Sequence, residues 1–93
     1  HTLVIPKKQV DYIFDLDDAT YSRLWDFAKN ISAKVNLAID CKRVGLAVIG
    51  LEVPHAHIHL VPLNSVEDIN FSRPKLKLDE SEFVEIHKRI VNA

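Results

Sequence analysis

Apolar side chains recur through the middle of the chain at Tyr21, Leu24, Ala28, Ile31, Val35 and Ala38, a 3-4-3-4-3 spacing. That period lays one stripe along a long amphipathic helix ending near Asp40. Trp25 and Phe27 widen the stripe, so the helix is expected to face other elements or a second subunit. Asp17 suits the N-cap, Asp18 the positive helix end, and Leu16 can staple onto Tyr21. Upstream, Thr2 to Ile5 is β-branched and apolar and stops at Pro6, which reads as a strand. Val10, Ile13 and Phe14 stand at i, i+3 and i+4, predicting a short helical turn within residues 7–14. Val44 to Ile49 is a nearly continuous apolar run, read as a buried strand, and Gly50 to Pro54 is a connection. Ala56 to Leu63 alternates and predicts a second strand, broken near its end by Pro62. Residues 64–77 have no period and contain Pro74, so a loop is expected. A last helix begins at Asp79, where Glu82 completes an Asp variant of the capping box and Leu78 can staple to Phe83. Phe83, Ile86, His87, Ile90 and Val91 form its apolar side, with His87 expected to pack.

The chain has 93 residues, enough for one domain. Residues 1–63 form the expected core segment, and residues 64–93 a loop and C-terminal helical extension. Hydrophobic residues make up 47% and charged residues 27%, which argues for a globular fold and against disorder. Twelve basic residues against thirteen acidic give a net charge of −1, without the basic excess that polymeric nucleic acid or a membrane surface would favour. No apolar stretch, Val44 to Leu51 included, approaches the ~20 residues of a membrane helix. Cys41 is the one cysteine, which excludes an internal disulfide and a Cys-rich zinc site; a small packing residue is expected there. Because the opening residues already read as a strand, further sequence upstream is expected.

Chemistry concentrates in Pro54-His-Ala-His-Ile-His-Leu-Val-Pro62. In a strand, His55, His57 and His59 would share one face with neighbours about 6.6 Å apart, and Ala56, Ile58 and Leu60 would enter the core. Three readings of these residues compete: a solvated edge, a pair of metal ligands, or nucleophilic catalysis by the central imidazole. Acidic residues are scattered and Cys41 stands alone, so no second ligand cluster supports the metal.

This stretch resembles the His-φ-His-φ-His-φ-φ signature of the histidine triad (HIT) family. His1-Thr-Leu-Val-Ile-Pro-Lys-Lys8 is similar to a strand segment of the same family, and Phe14-Asp-Leu-Asp17 leading into a long helix also fits. The resemblance covers residues 1–62. It implies an α+β fold, an antiparallel sheet with a long packed helix, here followed by a C-terminal helix. It implies a small nucleotide as substrate, no metal or other cofactor, and a cytoplasmic homodimer paired through the long helix and an edge strand. By the same resemblance, His57 would attack the α-phosphorus of a nucleotide conjugate and carry a nucleotidyl intermediate. His59 would orient His57 or share protons with phosphate and leaving group, His55 would pin strand and neighbouring ring, and His1 would lie beside the triad. The family's upstream helix, strands and base pocket would precede His1.

The sequence departs from the family just before the triad. A Gly-Gln-Ser/Thr-Val run is usual there, close to phosphate, where this chain has Gly50-Leu51-Glu52-Val53. Gly50, Glu52 and Val53 are the candidate phosphate-binding residues. Gly50 matches, but an ionised Glu52 cannot donate a hydrogen bond and would repel phosphate, so it either points away or serves another group. Lys7, Lys8 and the cluster Arg73, Lys75 and Lys77 are read as solvated.

Overall fold

The computed structural model describes residues 1–93. It is an α+β fold: a three-stranded antiparallel sheet and two α-helices. The strands are β1 (Thr2–Val4), β2 (Arg43–Ala47) and β3 (Ile58–Leu63), and the helices α1 (Asp18–Ala38) and α2 (Glu80–Val91). The sheet order is β1-β3-β2, so β3 enters last and lies in the middle. Its histidine-bearing end is thereby flanked by both other strands. In register, His59 stands between Leu3 and Ala47, and Leu60 between Thr2 and Leu46.

The two sheet faces differ. Val4, Ile58 and Leu60 are buried and join Leu24 and Ala28 of α1 in the core, with Ile13, Leu16 and Ala56. Ile58 is 0% exposed, and burying a side chain of this size contributes about 1.5–3 kcal/mol. The opposite face carries His59 and Val61. There a segment after β3 folds back, and Ile69 lies over Gly45. A side chain at Gly45 would collide with the Leu63 side chain and come within 3.6 Å of Ile69. Glycine at this position lets the returning segment close on the sheet.

The long helix follows its sequence signals. Asp17 accepts hydrogen bonds from the Thr20 amide at 3.1 Å and the Thr20 hydroxyl at 2.7 Å. Those two bonds hold the Asp17 carboxyl below its ordinary pKa. Leu24, Ala28 and Val35 of the stripe are buried, and Tyr21, Trp25, Ile31 and Ala38 are half-buried. Phe27 stays exposed. The second helix starts as its capping box requires, with the Glu82 amide donating to Asp79 at 2.8 Å and the Asp79 amide to Glu82 at 3.5 Å.

Several expected boundaries are corrected. The turn expected over 7–14 shrinks to a single 3-10 turn at Ile13–Asp15. The Val10 carbonyl, which a helical turn would need, instead accepts the Ala56 amide at 2.7 Å. The same bond shortens β3, which begins at Ile58 rather than Ala56. With residues before Ile58 turned toward Val10, β2 has no partner beyond Ala47 and ends there rather than at Ile49. The loop expected over 64–77 contains a 3-10 turn at Val66–Ile69. No residue of α2 is buried, and His87, expected to pack, is exposed, because α2 meets the rest of the chain chiefly along α1. Arg89 donates to the Ala38 carbonyl at 2.7 Å and Lys34 to the Val91 carbonyl at 3.3 Å. Cys41 is half-buried, its thiol 3.7 Å from Asn36 Oδ1.

Candidate active site

The histidines straddle the beginning of β3. His59 lies in the ladder, whereas His57 and His55 precede it. Each ring is held by a different bond. His55 Nε2 lies 2.8 Å from the Pro6 carbonyl, tying the triad's start to the chain just after β1. His57 Nδ1 lies 2.8 Å from the carbonyl of His55. A carbonyl oxygen can only accept, so both ring nitrogens must carry hydrogen. His57 is thereby fixed as the Nδ1–H tautomer, and in the neutral ring Nε2 keeps its lone pair free. It is the backbone of His55 that sets His57, while the ring of His55 serves the neighbouring segment.

His1 and His59 form a pair. His1 Nε2 is 2.8 Å from His59 Nδ1, one ring donating and the other accepting. The His57 and His59 rings meet edge to face, with centroids 4.7 Å apart. Burial, followed by the charges of His57 and Lys75, pushes the His59 pKa below its ordinary value of 6.5. His59 is therefore a neutral imidazole at neutral pH, able to accept a proton. No three His, Cys, Asp or Glu side chains are grouped as metal ligands.

A cavity of about 310 Å³ adjoins His57. Its lining includes Ala56 and His57, Tyr12 and Phe14, Val48, Ile49 and Gly50, and Trp25 of α1. The lining is mainly apolar, as is usual for a small-molecule pocket with a few polar groups. Trp25 Nε1 is buried without a hydrogen-bond partner. Gly50 has φ of +74°, the left-handed region that favours glycine, and space around its α-carbon is open. Glu52 and Val53 are exposed and do not line the cavity. The Val53 carbonyl accepts the His55 amide at 2.8 Å, bending the chain into the triad.

Sequence reasoning missed Phe71. Its ring stacks on His1 at 5.4 Å and 28°, and lies 4.8 Å from the His59 ring. The available signal was a lone aromatic residue in a loop without periodicity. Two members of that loop's basic cluster have different neighbours. Arg73 pairs with Asp68 at 3.2 Å, and Lys75 stands close enough for His59 to feel its charge.

The HIT domain family model matches residues 1–66, which include His1 and all three triad histidines. The chain belongs to the HIT domain family. An "Uncharacterized HIT-like protein" of Borreliella burgdorferi is 30% identical over 98 residues, covering 97% of this chain and 70% of that protein. The "Bifunctional bis(5'-adenosyl)-triphosphatase/adenylylsulfatase FHIT" of Arabidopsis thaliana is 33% identical over 67 residues, covering 67% of this chain and 37% of that protein. The HIT match ends before Phe71 and Lys75, so that part of the site lies outside the matched domain. No helix is long and apolar enough to cross a membrane.

Proposed function

We propose that the protein is a nucleotide hydrolase or nucleotidyl transferase working through His57. The observation that carries this reading is the fixed tautomer of His57, whose lone-pair nitrogen belongs to a ring on the wall of the cavity. Membership of the HIT family and the likeness to a relative named as a triphosphatase and adenylylsulfatase support it.

In the proposed reaction, His57 Nε2 attacks the α-phosphorus of a nucleoside monophosphate conjugate. The Nε2–P bond forms, and the bond from phosphorus to the leaving group breaks with its electron pair on the leaving group. A proton reaches that group through the His1–His59 pair or from water. The ring then carries the nucleotidyl group on Nε2 while Nδ1–H continues to donate to the His55 carbonyl. Water attacks the same phosphorus, the Nε2–P bond breaks, and its electron pair returns to the imidazole. Nucleoside monophosphate leaves, and the water's surplus proton passes to His59 or solvent. Gly50 is the candidate for bringing backbone amides to the phosphate. Glu52, exposed and outside the cavity lining, is assigned no contact with it. Two copies are proposed to pair through α1, on which Phe27 and Leu37 lie exposed.

The test is hydrolysis of adenosine 5'-phosphoramidate by the protein and by His57→Ala. Nucleophile removal is expected to lower turnover by at least about 10³-fold. Equal turnover in the two proteins would overturn the assignment. A wild-type protein that binds AMP but turns nothing over would make it a nucleotide-binding module instead.

A further inference from the structure

The segment after β3 is tied down on both sides of Phe71. Asp68 accepts the amides of Asn64 and Ser65 at 2.8 and 3.0 Å and also pairs with Arg73. These bonds hold the Asp68 carboxyl below its ordinary pKa. Asn70 Oδ1 accepts the Ser72 amide at 3.0 Å and the Ser72 hydroxyl at 2.6 Å. The Asn70 carbonyl accepts the Arg73 amide at 3.2 Å. Ile69 seats the turn over Gly45. Phe71 therefore leaves a locked turn in a set direction, and that direction leads onto His1 and His59.

We propose that Phe71 is a positioning residue for the histidine centre: stacked on His1 and tilted against His59, it holds that hydrogen-bonded pair beside His57 and shields the His59 ring from water. The proposal rests on the reading of His57 as nucleophile, and it adds a residue beyond the 66 that the HIT match covers. The groups facing His59 are few. His1 comes from the start of β1, His57 from the same segment, and Lys75 from the returning strap, while β2 offers only Ala47 opposite. No carboxylate stands among them to stabilise an imidazolium. An apolar ring against His59 removes water as well, so its neutral form is favoured. A neutral His59 at hydrogen-bond distance from His1 can take or pass a proton when the leaving group departs and when water attacks. Without the ring, both imidazoles gain rotational freedom and hydration.

The experiment follows the ring nitrogen shifts of His59 against pH by NMR in the ¹⁵N-histidine-labelled protein, Phe71→Ala and Phe71→Tyr. The pH profile of adenosine 5'-phosphoramidate hydrolysis is measured on the same three. Phe71→Ala is expected to move the His59 midpoint to higher pH by about half a unit or more. It is expected to lower kcat roughly tenfold while KM stays within about twofold, and Phe71→Tyr is expected to restore both. Should Phe71→Ala fail to fold, Phe71→Leu keeps the bulk without the aromatic face and must shift both readouts in the same direction. An unchanged His59 midpoint overturns the proposal, and so does a raised KM at constant kcat. Should the wild-type protein show no turnover, the nucleophile reading fails separately. The titration then still decides whether Phe71 governs His59.

Discussion

The carbonyl oxygen of His55 accepts a hydrogen bond from Nδ1 of His57 at 2.8 Å, across a single intervening residue. The bond is local and its cause is the bend before β3, where His55 donates back to Val53 and Ala56 to Val10. Had the strand begun at Ala56, the His55 carbonyl would stand beside the sheet ladder. The late entry into the ladder thus gives the central histidine its orientation.

This makes the tautomer of His57 a prediction. At a pH where the ring is neutral, ¹⁵N shifts should report hydrogen on Nδ1 and a bare Nε2. Hydrogen on Nε2 would mean that the His55 carbonyl does not control the ring.

The proton affinity of His59 depends on its neighbours, and Lys75 offers a clean way to test that. Removing a nearby positive charge makes protonation easier, so Lys75→Ala should raise the His59 midpoint, by less than the loss of burial would. Stability follows with a definite sign. The folded-state pKa lies below the ordinary 6.5, so the unfolded chain takes the proton first. Stability is then full above the mid-6 range and declines as pH falls from there toward the folded-state value. Lys75→Ala should shrink that decline. Denaturant titrations of both proteins across this range provide the check, and an identical decline would remove Lys75 from the site.

The core beneath the histidines should be sensitive to volume. Ile58 is fully buried, between His57 and His59 in sequence and opposite Val4 in register. Ile58→Val should cost about 0.5–1.5 kcal/mol, and Ile58→Ala about 2–5 kcal/mol, in chemical denaturation. If the Ala variant is no less stable than wild type, Ile58 is not in the core.

Much of this site was legible from the residues alone, and the remainder had physical reasons for hiding. The α1 stripe from Leu24 to Val35, its Asp17 cap and the Asp79–Glu82 box were readable because each depends on contacts within a few residues. The spacing of His55, His57 and His59 was equally plain. The true start of β3 was not, because a hydrogen bond between residues 46 positions apart, Ala56 to Val10, decides it. Phe71 was hidden for the same reason: nothing local in the loop marks which distant rings its side chain will meet. The exposure of α2 ran against its apolar spacing, since periodicity says which side can be buried but not whether a partner is present. Glu52, the most discordant residue of the sequence, lies exposed and outside the cavity lining.

The central claim is covalent catalysis by His57, and trapping the intermediate tests it most directly. The protein is mixed with adenosine 5'-phosphoramidate, quenched in base within milliseconds to seconds, and mapped by mass spectrometry. Base preserves a phosphorus–nitrogen bond to histidine that acid would hydrolyse. The account predicts an adenylyl group on His57, absent from His57→Ala. Rapid release of AMP with no adduct on His57, or an adduct on another histidine, would contradict it.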